Sequence, residues 1–444
     1  MPKINIKKSV TVVVFLFFLS FINLFLITTN IFADTSSSPI LINATDFNLD
    51  ITGVTDNTVQ FQNMIDSFPS GSDLRIPAGT YKISGTVNLK SGIKIEAQSD
   101  VIFIGIGSNN LFTANSNTTF SGIGFQNCNN AININGQSEI TIYWCNFKNN
   151  IVYSAVNIYN GTNINISNSF FYNILKNGVL INGDSSFISI TWNNFTNPSV
   201  YGGYQTEQIS GHVYCLSGNN ITVDHNTANN NGGQGIIFCY NSTTGKGVTG
   251  SSISNNYCEG NGQEGTTVYG GSTKVTNSNS VIGNTCKNNR FNQIEIWQSD
   301  NNTVTGNTVE ESITGVGNLG AICLFNATGT TCTGNTINSS NRNGIDVIAG
   351  SSYCTVSNNI IKDTNKANYP EAEKGNGILL DWNGVADPQY ITIENNTISS
   401  TGGIINKSGV YSTSNTNHHN TIDGNAITGY QYGIHPYAAA TCGV

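Results

Sequence analysis

A few residues in this chain have side chains suited to chemistry on a sugar polymer. Glu295 and Trp297 alternate with Ile294 and Ile296 in "QIEIWQSD", so an acid and an indole point away from the side the isoleucines bury. Aligned on neighbouring segments of the same pattern, the Glu295 position reads Tyr214, Ile237, Thr267, Glu295, Cys323, Asp346 and Leu379. The Trp297 position reads Leu216, Cys239, Tyr269, Trp297, Phe325, Ile348 and Asp381. If these segments stack as strands, Glu295 and Asp346 lie two strands apart, roughly 9.6 Å between backbones. Side-chain reach brings that toward the ~6.5–9.5 Å separation of an inverting glycosidase, with one acid and one base across a water. Asp346 and Asp381 form a second such pair in adjacent strands. Arg290, Arg342 and Lys374 precede the strand in nearby segments and supply cations for a uronate carboxylate. Tyr269, Trp297 and Phe325 are consecutive in their column, and exposed rings beside carboxylates suit the apolar faces of sugars.

Three activities fit this set. Hydrolysis uses Asp346 with Glu295 or Asp381 as its partner. β-Elimination on a uronate uses Arg290, Arg342 or Lys374 to neutralise the carboxylate, with Tyr214 or His212 handling protons and Asp346 and Asp381 as candidate calcium ligands. Binding alone uses Tyr214, Tyr269, Trp297, Phe325 and His212 as a glycan surface without turnover. No cofactor is required by the residues themselves; calcium is the one candidate.

The positioning element is a repeat. After residue 160 an apolar–polar alternation, a Gly/Ser/Asn turn, a second apolar stretch and then Asn, one residue, and an apolar residue recurs to the end of the chain. The Asn positions are Asn168, Asn193, Asn226, Asn256, Asn284, Asn307, Asn335, Asn359, Asn396 and Asn425, at steps of 23 to 37 residues. Phe170, Phe195, Ala228, Cys258, Cys286, Val309, Ile337, Ile361, Ile398 and Ile427 follow two places on. Constant strands with elastic steps and no amphipathic helix between them predict a parallel β-solenoid. A buried Asn at each turn can bond the backbone and the Asn of the next coil. The two longest steps insert "VYGGYQTEQISG" before Tyr214 and "TNKANYPEAEKGN" before Leu379, loops able to wall a cleft.

Before the repeats, "TDNTVQFQNMIDSF" predicts a short helix capped by Thr55 or Asp56, with Val59, Phe61, Met64 and Ile65 as its apolar contacts. It would cover the open end of the solenoid. "TGVTDNTVQFQNMID", "IPAGTY" and "LKSGIKIEA" resemble the opening of the pectate-lyase superfamily, which includes rhamnogalacturonase-like and epimerase-like proteins. The resemblance implies an all-β, single-stranded, right-handed parallel β-helix and a polysaccharide partner that is cleaved, epimerised or bound. The Asn-Thr-Asp, Asp-Asp, Gly-His-Gly and Arg-Ile-Lys set of polygalacturonases is absent, and so is the Asp-Pro-His motif of mannuronan epimerases.

Lys3, Lys7 and Lys8 precede an apolar run from Val10 to about Ile27, and small residues lead to Ala33: a secretory signal over residues 1–33. Retained, the run would be a membrane anchor at the cell surface. Residues 34–110 then form the cap and first coils, and 111–444 the β-helix. Without the leader the chain holds 15 Lys and Arg against 26 Asp and Glu, a net charge of −11. An acidic chain is unsuited to nucleic acid. The ten cysteines show no metal-ligand spacing, and most are expected as small buried hydrophobes. Cys258 and Cys286 fall in one column, close enough to bridge or to stack as free thiols.

Overall fold

Apart from one short antiparallel hairpin, the described strands pair in parallel with the strand one coil on. The computed structural model describes residues 38–198, 210–311, 319–413 and 419–436, and residues 40–444 pack as one unit. Each coil contributes a strand to three faces. The first face holds Gly211–Cys215, Gln234–Phe238, Thr266–Tyr269, Ile294–Trp297, Ile322–Phe325, Ile345–Ile348 and Ile378–Asp381. On the second lie Ser186–Thr191, Gly218–Asp224, Ser252–Ser254, Ser280–Ile282, Thr303–Thr305, Thr331–Thr333, Thr355–Ser357 and Thr392–Glu394. The third face is formed by Asn194–Thr196, Thr227–Asn229, Tyr257–Glu259, Thr285–Lys287, Thr308–Glu310, Thr336–Ser339 and Ile360–Lys362. The expected register holds on the first face: Thr267 pairs with Glu295, Glu295 with Cys323, and Cys323 with Asp346.

The interior is a single apolar column of side chains from all three faces. Phe125, Phe147, Phe171 and Phe195 stack at 5.0, 4.6 and 4.3 Å, and Ala228, Cys258, Cys286 and Val309 continue their line. The nine described cysteines are unpaired and buried, Cys258 and Cys286 among them.

The asparagine ladder runs unbroken from Asn193 to Asn425. Each backbone N–H and each side-chain amide donates to the Oδ1 of the next rung, as from Asn284 to Asn307 at 2.8 and 3.1 Å. The same amide also donates to a carbonyl one coil back, as from Asn307 to Val281 at 2.9 Å. The first expected rung is displaced by one residue. Ser169, not Asn168, receives this position, because its N–H donates to Asn193 and Asn168 occupies the left-handed corner before it. Phe171 rather than Phe170 therefore enters the core, in register with Phe195.

Helix α1, Thr58–Ser67, covers the N-terminal coils. Phe61, Met64 and Ile65 are fully buried, Phe61 against Tyr81, Phe103 and Phe112; Val59 faces solvent instead of the core. Asn57 occupies the cap position, yet its side chain bonds the Asp50 backbone. The Asp56 carboxylate accepts from the Thr58 N–H at 3.0 Å and does the capping from one residue further out. The leader, residues 1–33, lies outside the described residues.

Replacing a mid-ladder rung strands several buried donors and acceptors at once. Asn307→Ala is expected to lower the unfolding free energy by about 2–4 kcal/mol, read from urea denaturation. Exposed Asn338→Ala, three residues from the next rung, is the control and should stay within about 0.5 kcal/mol of wild type.

Candidate functional site

On the first face the outward positions are not an open stripe. Tyr214 is 2% exposed and Asp346 1%, and Thr267, Glu295, Cys323 and Leu379 are also buried. Two small apolar clusters form outside the main core: Leu180, Tyr214, Ile237 and Cys239, then Cys323, Ile348, Ala349 and Leu379. Over the first of them the face stays accessible as a cleft of about 730 Å³. Tyr214, Gln234, Glu264, Thr267, Tyr269, Glu295 and Trp297 line it, with Tyr240 and Asn241–Thr243 from the short hairpin of Tyr240–Asn241 and Lys246–Thr249.

Two glutamates meet in that cleft. Glu295 holds one oxygen against the Asn292 amide at 2.8 Å. Glu264 belongs to a column of polar residues just before the strand, Gln234, Glu264, Asn292, Gly320, Asn343 and Asn376, and it is the one acid there. Gln234 hydrogen-bonds to it. Burial pushes the Glu264 carboxyl up to about 7. Burial also drives Glu295 well above the usual carboxylate range, and the neighbouring Glu264 carboxylate adds to the effect. Like charges so placed cannot both ionise cheaply, so the pair shares protons near neutrality. Gln234 Oε1 and Thr267 Oγ1, on the cleft lining, have no hydrogen-bond partner in the protein.

Trp297 is held ready for a flat ligand. Phe325 covers one face of the indole at 3.6 Å and 2°. On the other side Tyr269 turns edge-on to Tyr240 at 5.4 Å instead of stacking on Trp297. Trp297 and Tyr269 line the cleft; Phe325 does not, and so acts as a backing for the indole rather than as a sugar contact.

The remaining predicted site residues lie elsewhere. His212 points into the coil interior, where its Nε2 is 2.7 Å from the Asn229 carbonyl and its ring lies against Phe195. Burial pushes that imidazole down to about 4, so it is a neutral core group and not a substrate contact. Tyr214 touches the cleft from within an apolar cluster. Asp346 shares its column with Glu295, but Cys323 stands between them. The Asp346 oxygens are taken by the Gly320 N–H at 2.7 Å and the Asn343 amide at 2.8 Å, and burial pushes the carboxyl up to about 7. Glu295 lines the cleft and Asp346 does not, so the two acids do not face one opening as the expected hydrolytic pair requires.

Asp381 is half-buried one coil on and accepts from the Thr413 hydroxyl. Among the described residues no three His, Cys, Asp or Glu converge as metal ligands, and each Asp346 oxygen already accepts from an N–H donor. Arg342 and Lys374 do gather, over the Tyr369 ring at 4.7 and 5.1 Å, with Lys374 paired to Glu371 at 2.9 Å. Tyr369 stands on the predicted loop before Leu379. The loop before Tyr214 lies outside the described residues, apart from Ser210 and Gly211. Arg290 lies beside Phe291 and does not line the cleft.

A further buried acid, like Glu264, was not anticipated. Glu311 ends a second amide ladder, Asn261 to Asn289 to Gln293, by accepting from Gln293 at 3.2 Å and from the Asn341 N–H at 2.6 Å. Burial pushes it up to about 7 as well.

The Right handed beta helix region family matches residues 130–309 and 246–427. No curated protein matches the chain. Among solved structures, the catalytic unit of a GH87 α-1,3-glucanase from Streptomyces thermodiastaticus is 14% identical, with TM-score 0.55, over 92% of this chain and 71% of that one. The gene product 12 of bacteriophage phi29, in its pre-mature form, is 14% identical with TM-score 0.65, over 89% of this chain and 57% of that one. The tailspike of E. coli bacteriophage HK620, in complex with a pentasaccharide, is 12% identical with TM-score 0.55, over 88% and 78%. At these identities the likeness is one of fold: a right-handed parallel β-helix.

Raised carboxyls set a sign for stability against pH. Above about 4.5 the unfolded chain ionises these groups while Glu264, Glu311 and Asp346 keep protons until about 7 in the fold. The folded state then binds more protons, so stability falls as pH rises through that window. The unfolding midpoint is expected to drop between pH 5 and pH 8, and Glu311→Gln should flatten the slope, by on the order of 3 kcal/mol at the alkaline end.

Proposed function

We propose that this chain, which belongs to the right-handed β-helix family, hydrolyses glycosidic bonds in a neutral polysaccharide laid along the cleft of its first face. The observation that carries this is the Glu264–Glu295 pair: two buried carboxyls, driven to share protons, beside an indole with one face left to the cleft. Glu295, the more strongly raised, keeps its proton at neutral pH and is the general acid toward the leaving oxygen. Glu264 ionises near 7 and serves as the base or nucleophile on the other side of the sugar. Trp297 takes the apolar face of a pyranose.

The lining favours hydrolysis over β-elimination. Removing a proton beside a uronate carboxylate requires that carboxylate to be neutralised, and no Lys or Arg is among the residues lining the cleft. Two acids there would also repel a uronate. The glucanase catalytic unit and the pentasaccharide-bound tailspike give the scaffold a precedent in glycan work, without carrying over a particular bond or sugar.

Glu264→Gln and Glu295→Gln are each expected to lower kcat by roughly 10²- to 10⁴-fold with KM little changed. Trp297→Ala should act mainly on KM. The rate should rise as pH passes about 7, where Glu264 ionises, and fall at higher pH as Glu295 loses its proton. New reducing ends from a panel of neutral and acidic glycans, with and without chelator, are the measurement. Products absorbing in the ultraviolet as unsaturated uronates, or full activity in both variants, would overturn the assignment.

A further inference from the structure

Large rings stand at backbone corners that disfavour them. Every coil turns into and out of the second face through a residue in the left-handed region, and most coils place Asn, Ser or Gly there, as at Asn163, Asn220 and Gly250 on entry and Asn168, Asn255 and Gly283 on exit. Phe187 at φ 54°, Tyr353 at 54° and Tyr390 at 55° take the entry corner; Trp144 at 54° and Trp192 at 59° take the exit corner. Bulky residues in this region are strained. Burial does not compensate: Phe187 is 58% exposed and Trp192 60%, and Trp144, Tyr353 and Tyr390 are exposed too. Trp192 stacks on His225 at 4.2 Å, and Tyr353 on Tyr390 at 4.7 Å, which orders the rings but leaves them in solvent.

Phe187 is the second residue of the strand Ser186–Thr191 and Trp192 directly follows that strand, roughly 16 Å on at the rise of an extended chain. From Phe187 a shallow trough of about 550 Å³ opens over the following coils. Its floor is the register column Ser189, Thr222, Ser252 and Ser280, hydroxyls all half-buried and facing out. No residue lining the trough is charged, in a chain whose net charge is −8. A surface of ring edges and faces over a bed of uncharged hydroxyls complements an uncharged polyhydroxylated chain, and offers nothing to a polyanion or a basic peptide.

We infer that this trough, with Phe187 in its lining and Trp192 further along the same strand direction, is part of a second, non-catalytic face that holds a neutral polysaccharide. It lies on a different face from the acid cleft, uses none of its residues, and does not depend on the hydrolytic assignment.

The test is adsorption of the whole protein to insoluble neutral polymers (microcrystalline cellulose, chitin and insoluble α-1,3-glucan), with polygalacturonate gel as the charged control. Wild type and Phe187→Asn/Trp192→Asn are compared, Asn being the residue other coils place at these corners. The expected result is adsorption of wild type to at least one neutral polymer and not to the gel. The double variant should bind at least tenfold more weakly, with its melting midpoint unchanged or raised and its turnover of short soluble oligosaccharides unchanged. Glu264→Gln should adsorb like wild type, so that failure of the acid pair and failure of the trough read out separately. Equal adsorption by the double variant, no adsorption of wild type to any neutral polymer, binding to the gel alone, or a lowered melting midpoint that marks the rings as structural would each overturn the inference.

Discussion

Stacking of identical backbone positions at the spacing of paired strands is the constraint from which everything else in this molecule follows. A parallel coil has no local hairpin to set its register, so something at each turn must hold one coil to the next. The asparagine ladder does so with one side chain per coil that satisfies a carbonyl behind it and a rung ahead of it. Close backbone approach at the entry to the first face adds a second constraint: a Cβ at Gly377 would sit 2.5 Å from the Gly409 carbonyl oxygen. Where larger residues replace glycine or alanine in that column they go inward and bond the ladder region, as Gln293 does with Asn289 and His212 with the Asn229 carbonyl.

The same device explains how charge is buried. Glu264 replaces an amide in a polar column, and Glu311 takes the place of a rung at the end of another. An amide rung both donates and accepts, whereas an ionised carboxylate only accepts. The amides donate to these carboxyls and favour the ionised form, but desolvation outweighs them and favours the protonated one. The acids of the first face are raised because the scaffold buries them. Glu264 and Glu295 line the cleft, whereas Asp346 and Glu311 are closed off by backbone N–H donors.

Period and register were legible in the residues. The Glu295 and Trp297 columns align as strand periodicity requires, because one residue of slip would turn isoleucines to solvent. The ladder was legible from Asn193 onward. Its first rung was not, since Ser169 serves there and Asn168 beside it offers the expected letter at the wrong corner. Exposure of the outward columns was not legible either. Alternation says which side of a strand a residue takes, not whether loops and neighbours roof that side, and so Tyr214 and Asp346 were expected in solvent. Glu264 escaped notice because it precedes the strand, in a column defined by turn hydrogen bonds rather than by alternation. An acid standing alone among Gln234, Asn292, Asn343 and Asn376 was the available signal.

The corners carry the last step. A solenoid of this kind must turn through the left-handed region in every coil, and Asn and Gly do it at least cost. Where the chain spends that freedom on Phe187 or Trp192, neither core packing nor the ladder gains, because both rings point to water. A residue that strains the backbone and adds nothing to the interior has its use outside the fold, which is why the second face, and not only the cleft with its acids, belongs to the chemistry of this protein.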